Sequence, residues 1–457
     1  MLIVAPLAIT WVAAAALALL DGRRRWVGWL AAAALAAATV SLAVLTVTVV
    51  DGDEVEQVVA GGWPAGVGIV LRADALGVVF ALLSLVVVLF ALVHEVVAGV
   101  RTRGFPALML FMATGLTGLF LTGDVFNFYV FFELAMISGY VLSAYGGETR
   151  HYGAAFIFAV VNLLGSFVFL IAVAAIYHVT GTLEMAVVGE RMTEVDPSAA
   201  IMIAVGIFVA FGVKLGLFPF HFWLPAVYVG ASPAVAAVLS GALANIGAYG
   251  LLRFGGELLS QELALGATVL IVIGSASVVY GAVQALSRRD AGEVLAYSAI
   301  GQAGYVLIAL GVGGPVGYAA AVVYAIVNSL NKALLFLAAP LRGWLVGAAF
   351  VVGAFSVAGL PPTGGFLGKL ELFRAGIDAG SVALVGLLFV GGALSFVYMF
   401  QIYQYRYWRN ERLSDPSPAL LRAVALTLAA VVVVLGVWPE PLLLAGREAA
   451  QNLGAGQ

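Results

Sequence analysis

The segment FGVKLGLFPFHFWLP, residues 211–225, places a lysine and two prolines in an apolar run that is otherwise long enough to cross a membrane. A second segment, AGLPPTGGFLGK at residues 358–369, repeats this combination. A proline inside a helix removes the hydrogen bond to the carbonyl four residues earlier, so the helix breaks or kinks there. At membrane depth, the freed carbonyls must line protein or a water-filled cavity. The sequence therefore predicts two discontinuous helices, one broken at Pro219 and the other at Pro361 and Pro362.

The composition of the chain is that of a polytopic membrane protein. Of the 457 residues, 63% are hydrophobic and 10% are charged, which is too little charge for the surface of a soluble protein of this size. We predict an all-α protein of about 14 transmembrane helices, because runs of about 20 apolar residues recur along the chain. The predicted spans are residues 2–20, 27–49, 74–99, 105–122, 125–145, 153–177, 199–218, 232–254, 263–286, 293–311, 316–338, 344–373, 381–404 and 419–437. The longest hydrophilic stretches have only about 20 residues, which excludes a catalytic domain outside the membrane.

The arginines between the predicted spans are concentrated on one side of the membrane. By the positive-inside rule this side is cytoplasmic, and the even number of spans then places both termini outside the cell membrane. The cytoplasmic arginines are Arg23, Arg24, Arg25, Arg101, Arg103, Arg150, Arg288, Arg289, Arg342, Arg406, Arg409, Arg412 and Arg422. The outer loops carry the acidic clusters, with Asp51, Asp53, Glu54, Glu56, Glu184, Glu190, Glu194 and Asp196. The fewer outer arginines are Arg72, Arg191, Arg253, Arg374 and Arg447.

The two broken helices lie five spans apart, and the spans that precede them are also similar. Residues 154–172 contain Asn162 where residues 319–339 contain Asn328. Paired interrupted helices indicate an internally repeated transporter, and an odd number of crossings inverts the second copy. The predicted division is helices 1–3 at residues 1–104, a first repeat of helices 4–8 at 105–254, a second repeat of helices 9–13 at 263–404, and a last helix and tail at 405–457.

The chain has three lysines, Lys214, Lys332 and Lys369, and all of them interrupt apolar runs. An ammonium group in hydrocarbon costs about 2.5–3.5 kcal/mol on insertion scales, so each lysine is a candidate functional group. Glu133 lies deep in its predicted span and is a candidate charge partner for a lysine. Movement of one group relative to the other would bind or release a proton. We predict that these four residues translocate protons; the structural alternatives are helix packing by a neutral glutamate and lysines that reach the interface.

Other polar residues within the spans are candidates for lining a proton path. Tyr129 and Tyr140 share the helical face of Glu133, and Asn328 shares that of Lys332. The complete set is Tyr129, Tyr140, His221, Asn245, Ser298 and Asn328. Such residues also join helices by hydrogen bonds, and the sequence does not separate the two roles.

The chain has no cysteine, which excludes disulfides, thiolate-bound zinc and iron–sulfur clusters held by its own residues. Its four histidines are far apart in the sequence. We expect no cofactor, no metal site, no nucleic-acid partner, and no redox or hydrolytic centre in this chain.

Four segments together resemble the signature segments of the antiporter-like subunits shared by complex I, membrane-bound hydrogenases and Mrp-type multisubunit sodium/proton antiporters. They are GDVFNFYVFFE at 123–133, FGVKLGLFPFHFWLP at 211–225, NKALLFL at 331–337 and AGLPPTGGFLGK at 358–369. With YHVTGTLEMA at 177–186, the first is most similar to the D-type component of Mrp antiporters. The resemblance runs from about Asp74 to Arg409 and implies two inverted five-helix repeats within about 14 spans.

The resemblance implies a role for each charged residue named above. Glu133 falls on the fifth-span glutamate, Lys214 on the seventh-span lysine, and Lys332 on the eleventh-span lysine. Lys369 falls on the twelfth-span lysine that gates the outer half-channel.

The sequence departs from this family in four places, one of which is Ala226, where an aspartate is common after WLP. Asn245 and Asn328 stand where many relatives carry a lysine and a histidine, which puts in doubt a simple lysine-to-histidine relay, although asparagines order water. The stretch 337–352 is also some two dozen residues shorter than the resemblance implies. Two interpretations stay open, a deletion in this protein and a missing stretch of chain, and we favour the second.

The expected function is an ion-translocating subunit of a Mrp-type complex that exchanges cytoplasmic sodium ions for external protons, with other membrane subunits and the lipid bilayer as partners. One alternative is an antiporter-like proton-pumping subunit of complex I or a membrane-bound hydrogenase, which shares the mechanism and differs in its partners. A second alternative is a non-conducting scaffold with inert lysines.

Overall fold

The structure is a computed structural model that describes residues 2–52, 55–62, 68–408 and 417–454. Four residues that enter the loop predictions, Asp53, Glu54, Arg409 and Arg412, lie outside the described residues.

Helices account for nearly all of the described structure. The first part consists of α1 (Ala5–Ala18), α2 (Arg25–Gly52), the strands β1 (Glu56–Val59) and β2 (Val70–Ala73), and α3 (Ala75–Ala98). The next consists of α4 (Phe105–Phe120), α5 (Val125–Ser143), α6 (Thr149–Thr180), α7 (Met185–Met192), α8 (Pro197–Leu215), α9 (Leu224–Gly230), α10 (Pro233–Val238) and α11 (Asn245–Gly250). The last consists of α12 (Ser260–Ser287), α13 (Ala291–Val312), α14 (Gly314–Ala338), α15 (Trp344–Ala358), α16 (Gly364–Asp378), α17 (Val382–Tyr403), α18 (Ala419–Val437) and α19 (Glu440–Gly454).

The described helices supply the predicted number of membrane crossings. Eleven helical segments are long and apolar enough to cross a membrane, and three shorter apolar helices, α1, α4 and α15, complete the set among the described residues. The most apolar stretches of α14 and of the segment Pro233–Leu258 are entirely buried, so these two spans form the centre of the molecule. The prediction of an all-α protein of about 14 spans is confirmed.

The loops meet in two groups, as alternate crossings require. On one side, Gly22 N in the first connection donates to Arg103 O in the third, at 2.9 Å. On the other side, Arg72 N in the second connection donates to Leu121 O in the fourth, at 2.8 Å. The first and third connections therefore lie together, and so do the second and fourth.

The seventh span is discontinuous, as predicted. Its first half, α8, ends at Leu215, and Gly216 then takes a left-handed conformation with φ 70°. The chain passes through Pro219 before α9 begins. The backbone N–H of Phe218 donates to Ser277 Oγ at 3.0 Å, which fixes the broken segment against α12.

The twelfth span is broken in the same way. Helix α15 ends at Ala358, Gly359 has φ 84°, and α16 begins at Gly364 after Pro361 and Pro362. The N–H of Gly365 donates to Ser356 Oγ at 3.0 Å and joins the two halves. Both predicted helix breaks are thus present.

Other features were not anticipated from the sequence. The eighth span contains two π-helical segments, Leu239–Leu243 and Leu251–Leu258. The second connection contains the antiparallel pair of β1 and β2, and the predicted C-terminal tail contains the helix α19. In the short stretch 337–352, residues 339–343 connect α14 directly to α15.

Candidate functional site

Lys214 is a buried cation held by neutral groups. It lies in the last turn of α8 and is 5% exposed. Its Nζ donates to Asn162 O at 2.8 Å and to Ser166 Oγ at 3.0 Å, both on α6. The same Nζ lies 4.4 Å from the ring centroid of Phe132, which adds a cation–π contact. Helix α8 ends one residue later, so Lys214 lies beside the break in its span.

Glu133 lies near Lys214 but does not contact it. Among the described residues, these two side chains form no ion pair within 4.0 Å, although Glu133 is near enough to interact electrostatically with the lysine. Its Oε1 is buried and has no hydrogen-bond partner in the part of the chain that the structure describes. Tyr129 and Tyr140 also interact electrostatically with Glu133. Glu133 and Lys214 are therefore neighbours that do not form a salt bridge in this structure.

A small cavity extends from Lys214 toward the centre of the molecule. It is lined by Met136, Phe158, Asn162, Lys214, Trp223, Tyr228, Leu239, Leu243 and Ala244. Its volume is about 10 Å³, which suffices for about one water molecule. One lining residue, Ala244, directly precedes Asn245 in the eighth span.

At the centre, Asn245 joins the two halves of the chain. Its Nδ2 donates to Gly241 O and to Ser329 Oγ, both at 3.0 Å, and Ser329 Oγ in turn donates to Gly241 O. Ser329 belongs to α14 and lies three residues before Lys332, on the same helical face. Asn245, predicted as path-lining, thus contacts the helix that carries the second lysine.

Lys332 is 7% exposed and has no hydrogen bond or ion pair with any described residue. Asn328 and Tyr324 precede it by one and two turns of α14 and share its face. The three residues form a polar stripe along a helix whose surroundings are apolar.

Lys369 lies at the end of this stripe. It is 4% exposed, and its Nζ has no hydrogen-bond partner in the described part of the chain. The Nζ lies 3.3 Å from the ring centroid of Tyr305 and 5.6 Å from that of Tyr324. A Cβ on Gly359 would overlap the Lys369 side chain, so the glycine at the break makes room for the lysine stem. Lys369 therefore lies buried against the aromatic rings of Tyr305 and Tyr324 rather than at the surface of the described structure.

A buried hydrogen-bond network continues from Tyr324 into α13 and α17. Tyr324 Oη donates to Gln302 Oε1, and Gln302 Nε2 donates to Tyr398 Oη at 3.2 Å. The Tyr398 hydroxyl also lies 3.0 Å from Ser298 Oγ and 3.0 Å from Ser395 Oγ. Of these residues, the candidates from the sequence included Ser298 but not the two tyrosines.

His221 is the candidate that the structure leaves apart from the lysines. It lies in the turn after Pro219, with its ring 5.5 Å from that of Phe218 and 4.3 Å from that of Tyr280. Its Nδ1 is buried without a partner among the described residues. The described structure shows no hydrogen bond from His221 to any of the lysines.

Sequence reasoning missed a second set of charges, two of them buried (Asp74 and Arg253) and two partly buried (Arg72 and Glu257), which we call the arginine–carboxylate cluster. Arg253 is 2% exposed and its Nη1 and Nη2 donate to the Asp74 carboxylate at 2.7 and 2.6 Å. Glu257 accepts from Arg253 and from Arg72, both at 2.5 Å. Arg253 Nε donates to Tyr249 Oη at 3.0 Å. Every charge in this cluster therefore has a partner of opposite sign.

Asp74 also begins α3, because its Oδ1 accepts from Gly77 N at 2.8 Å. The Asp74 carboxylate is buried, and its ion pairs with Arg253 and Arg72 offset the cost of burying its charge. The sequence contains no signal for this cluster, because Asp74 and Arg253 lie at the edges of predicted spans, where charged residues usually face water.

The fourteen spans, the two broken helices and the buried lysines define a class of protein, the antiporter-like membrane subunit. The sequence matches the family described as "NADH:quinone oxidoreductase/Mrp antiporter, TM" at residues 122–343 and 344–395. The chain belongs to this family. The match is divided between residues 343 and 344, within the stretch that the sequence predicted to be short.

The individual relatives include both antiporter and NADH-quinone oxidoreductase components. The D-type component of the Na(+)/H(+) antiporter of Alkalihalophilus pseudofirmus is 29% identical over 86% of this chain and 85% of its own. The N-type component of the NADH-quinone oxidoreductase of Desulforudis audaxviator is 31% identical over 91% of each chain. Among solved structures, a chain of the Mrp complex from a Dietzia species superposes with a TM-score of 0.91 at 27% identity, covering 99% of this chain and 98% of that one.

Proposed function

We propose that this protein is the proton-conducting subunit, of the Mrp D type, of a multisubunit sodium/proton antiporter in the plasma membrane. The observation that carries the proposal is Lys214, a buried ammonium beside a broken helix whose contacts are all neutral. A buried charge held without a counter-ion is costly. We propose that this cost serves proton transfer, because such a lysine can release and rebind its proton. The similarity to the antiporter component of Alkalihalophilus pseudofirmus supports the same assignment.

In the proposed mechanism, Lys214 exchanges a proton under the influence of Glu133. The Glu133 carboxylate favours the charged lysine when it approaches and the neutral lysine when it withdraws. The cavity at Lys214 and the Asn245–Ser329 contact lead toward Lys332. Neutral amide and hydroxyl groups order water in such a path without holding the charge themselves.

The proton continues along the polar stripe of α14 to Lys369, which we propose as the outer gate. Tyr324 lies in ring contact with the Lys369 ammonium, and Asn328 lies between Tyr324 and Lys332 on the same face. The breaks at Pro219 and at Pro361 and Pro362 place both lysine-bearing helix ends inside the protein. We keep His221, Tyr129 and Tyr140 as candidate path-lining residues in the first half.

We also propose the arrangement of the chain in its complex. Residues 105–254 and 263–404 form the two inverted repeats, the arginine-rich connections face the cytoplasm, and both termini face outward. Other membrane subunits of the complex are the partners, and this chain contributes no redox or hydrolytic centre of its own.

One alternative has a specific observation in its favour. The identity of 31% to the N-type component of a NADH-quinone oxidoreductase supports a proton-pumping subunit of a redox-driven complex, in which the same lysines would serve. The alternative of a non-conducting scaffold predicts that the lysines are dispensable.

The test is proton flux in inverted vesicles that contain the complete complex encoded with this chain. A sodium gradient should drive proton movement, and addition of an electron donor should not. Proton pumping that requires the electron donor and ignores sodium would replace the antiporter assignment with the redox-driven one. Full sodium-dependent flux in a complex that carries Lys214→Ala would favour the scaffold.

A further inference from the structure

A polar pocket of about 210 Å³ opens at the side where α12, α14 and α17 end and where α13 and α15 begin. Its lining residues are Arg289, Asp290, Ala291, Leu341, Arg342, Ile402, Tyr405 and Arg406. Three arginines converge on this pocket: Arg289 and Arg342 lie in connections between helices, and Arg406 lies in the π-helical segment Gln404–Trp408 that continues α17. The proposed proton path uses none of them.

Among the described residues, the lining of this pocket carries more positive than negative charge. Arg289, Arg342 and Arg406 form no ion pair with any carboxylate of the described residues. The one acidic residue among the described lining residues, Asp290, is the N-cap of α13, because its Oδ1 accepts from Glu293 N at 3.1 Å. Its carboxylate offsets the positive end of that helix and one of the three arginine charges. The three guanidinium groups still outnumber this carboxylate, so the lining keeps a net positive charge that favours an anion.

The pocket lies at the depth of lipid headgroups. The pocket residues follow or precede the ends of apolar spans, and two tryptophans near it are largely exposed, Trp344 at 80% and Trp408 at 64%. Exposed tryptophan at the end of a transmembrane helix is typical of the membrane–water interface. At this depth, the pocket is more accessible to lipid headgroups in the bilayer than to soluble anions.

An apolar groove of about 260 Å³ lies deeper along the same helix α17. It is lined by Val351, Ala354, Phe355, Phe396, Met399, Phe400 and Tyr403. The groove runs between α15 and α17 and begins within one turn of the arginine pocket. The polar pocket and the apolar groove together match a molecule with an anionic head and a hydrocarbon tail.

We infer that Arg289, Arg342 and Arg406 bind the phosphate group of an anionic phospholipid, whose acyl chain occupies the groove between α15 and α17. Guanidinium groups bind phosphate oxygens through paired, charge-assisted hydrogen bonds. The net positive charge of the pocket favours phosphatidylglycerol over zwitterionic phosphatidylcholine, although both carry a phosphodiester. The inference does not depend on the proposed ion exchange, because the site is lateral to the lysines.

The test uses the complete complex reconstituted in nanodiscs that contain phosphatidylcholine and phosphatidylglycerol, followed by native mass spectrometry of retained lipid. The wild-type complex should retain one more phosphatidylglycerol than a complex with Arg342→Gln and Arg406→Gln. Replacement of the same two residues by lysine should retain more lipid than the glutamine variants and less than the wild type, because the charge remains but the paired guanidinium hydrogen bonds are lost. The single variant Arg289→Gln, at an exposed position, should weaken retention without affecting assembly.

The matched control is Arg24→Gln with Arg25→Gln, which removes the same charge from exposed residues on the same predicted face and should leave lipid retention unchanged. Equal retention in the wild-type, pocket and control complexes would overturn the inference. Displacement of the lipid by inorganic phosphate alone would identify a soluble anion as the ligand and would also overturn it. So would an acidic segment of a neighbouring subunit that cross-links to the pocket in place of lipid.

Discussion

The arginine–carboxylate cluster and the three lysines are two ways in which one molecule buries charge. In the cluster, Arg253 and Asp74 form two hydrogen bonds with each other, and Glu257 completes the guanidinium contacts. The lysines have no described carboxylate in contact: Lys214 is bound by a carbonyl and a hydroxyl, and Lys369 lies against an aromatic ring.

The difference separates structure from function. A buried charge with a full set of partners is fixed, and removal of one partner leaves the other exposed to the full cost of burial. A buried lysine without a counter-ion can lose its charge and remain in place. We therefore expect the cluster to control assembly and the lysines to control transport.

The largest effect should come from Arg253→Ala. It leaves the Asp74 carboxylate buried without its main partner and should destabilise the protein by about 3–5 kcal/mol. The measurement is the yield and melting temperature of the complex. The control is Arg447→Ala, an exposed arginine whose loss should change neither. A complex with Arg253→Ala that assembles and melts like the wild type would contradict the structural role of the cluster.

Lys332→Met should abolish transport without destabilising the complex, in contrast to Arg253→Ala. Methionine has a similar length, and no partner is left unpaired because Lys332 has none in the described structure. We expect proton flux to fall to background while the melting temperature of the complex stays the same or rises. A drop in melting temperature with residual flux would assign Lys332 to the structural group instead.

Ser166→Ala should produce a smaller loss. It removes one of the two hydrogen bonds to the Lys214 ammonium and leaves the carbonyl of Asn162 in place. A hydrogen bond to a charged group contributes about 1.5–3 kcal/mol, so proton flux should fall by about tenfold or more. Ser138→Ala is the matched control, because the Ser138 hydroxyl binds a carbonyl of its own helix α5. Equal flux in the two variants would show that the Ser166 contact is incidental.

Tyr398→Phe should have the smallest effect. It removes the hydroxyl shared by Ser298, Gln302 and Ser395, and a neutral hydrogen bond contributes about 1 kcal/mol, or roughly fivefold in rate. Tyr318→Phe, a buried tyrosine of α14 outside this network, should leave the flux unchanged. An unaltered rate with Tyr398→Phe would remove the network from the proton path.

The parts of the molecule that the sequence predicted are those with a local signal. A lysine in an apolar run is conspicuous by itself, and a proline in a span marks a helix break at its own position, so Lys214, Lys369 and Pro219 could be identified residue by residue. The span count followed from run length. Local patterns sufficed wherever one residue type was out of place.

The parts that the sequence did not predict depend on contacts between distant segments. Asp74 and Arg253 are 179 residues apart, and each looks like an ordinary interfacial charge in its own segment. Tyr398 lies in an apolar helix, where aromatic residues usually pack in the core. No local pattern distinguishes the π-helical turns of the eighth span from the α-helix around them.

The most direct test of the central claim is sodium-dependent proton flux in vesicles that carry the complete complex with wild-type or Lys214→Ala protein at matched expression. The account predicts that Lys214→Ala abolishes the flux while the complex still assembles and melts like the wild type, and that Arg447→Ala in the same assay retains full activity. Normal flux with Lys214→Ala would show that the buried lysine is structural and that protons cross elsewhere.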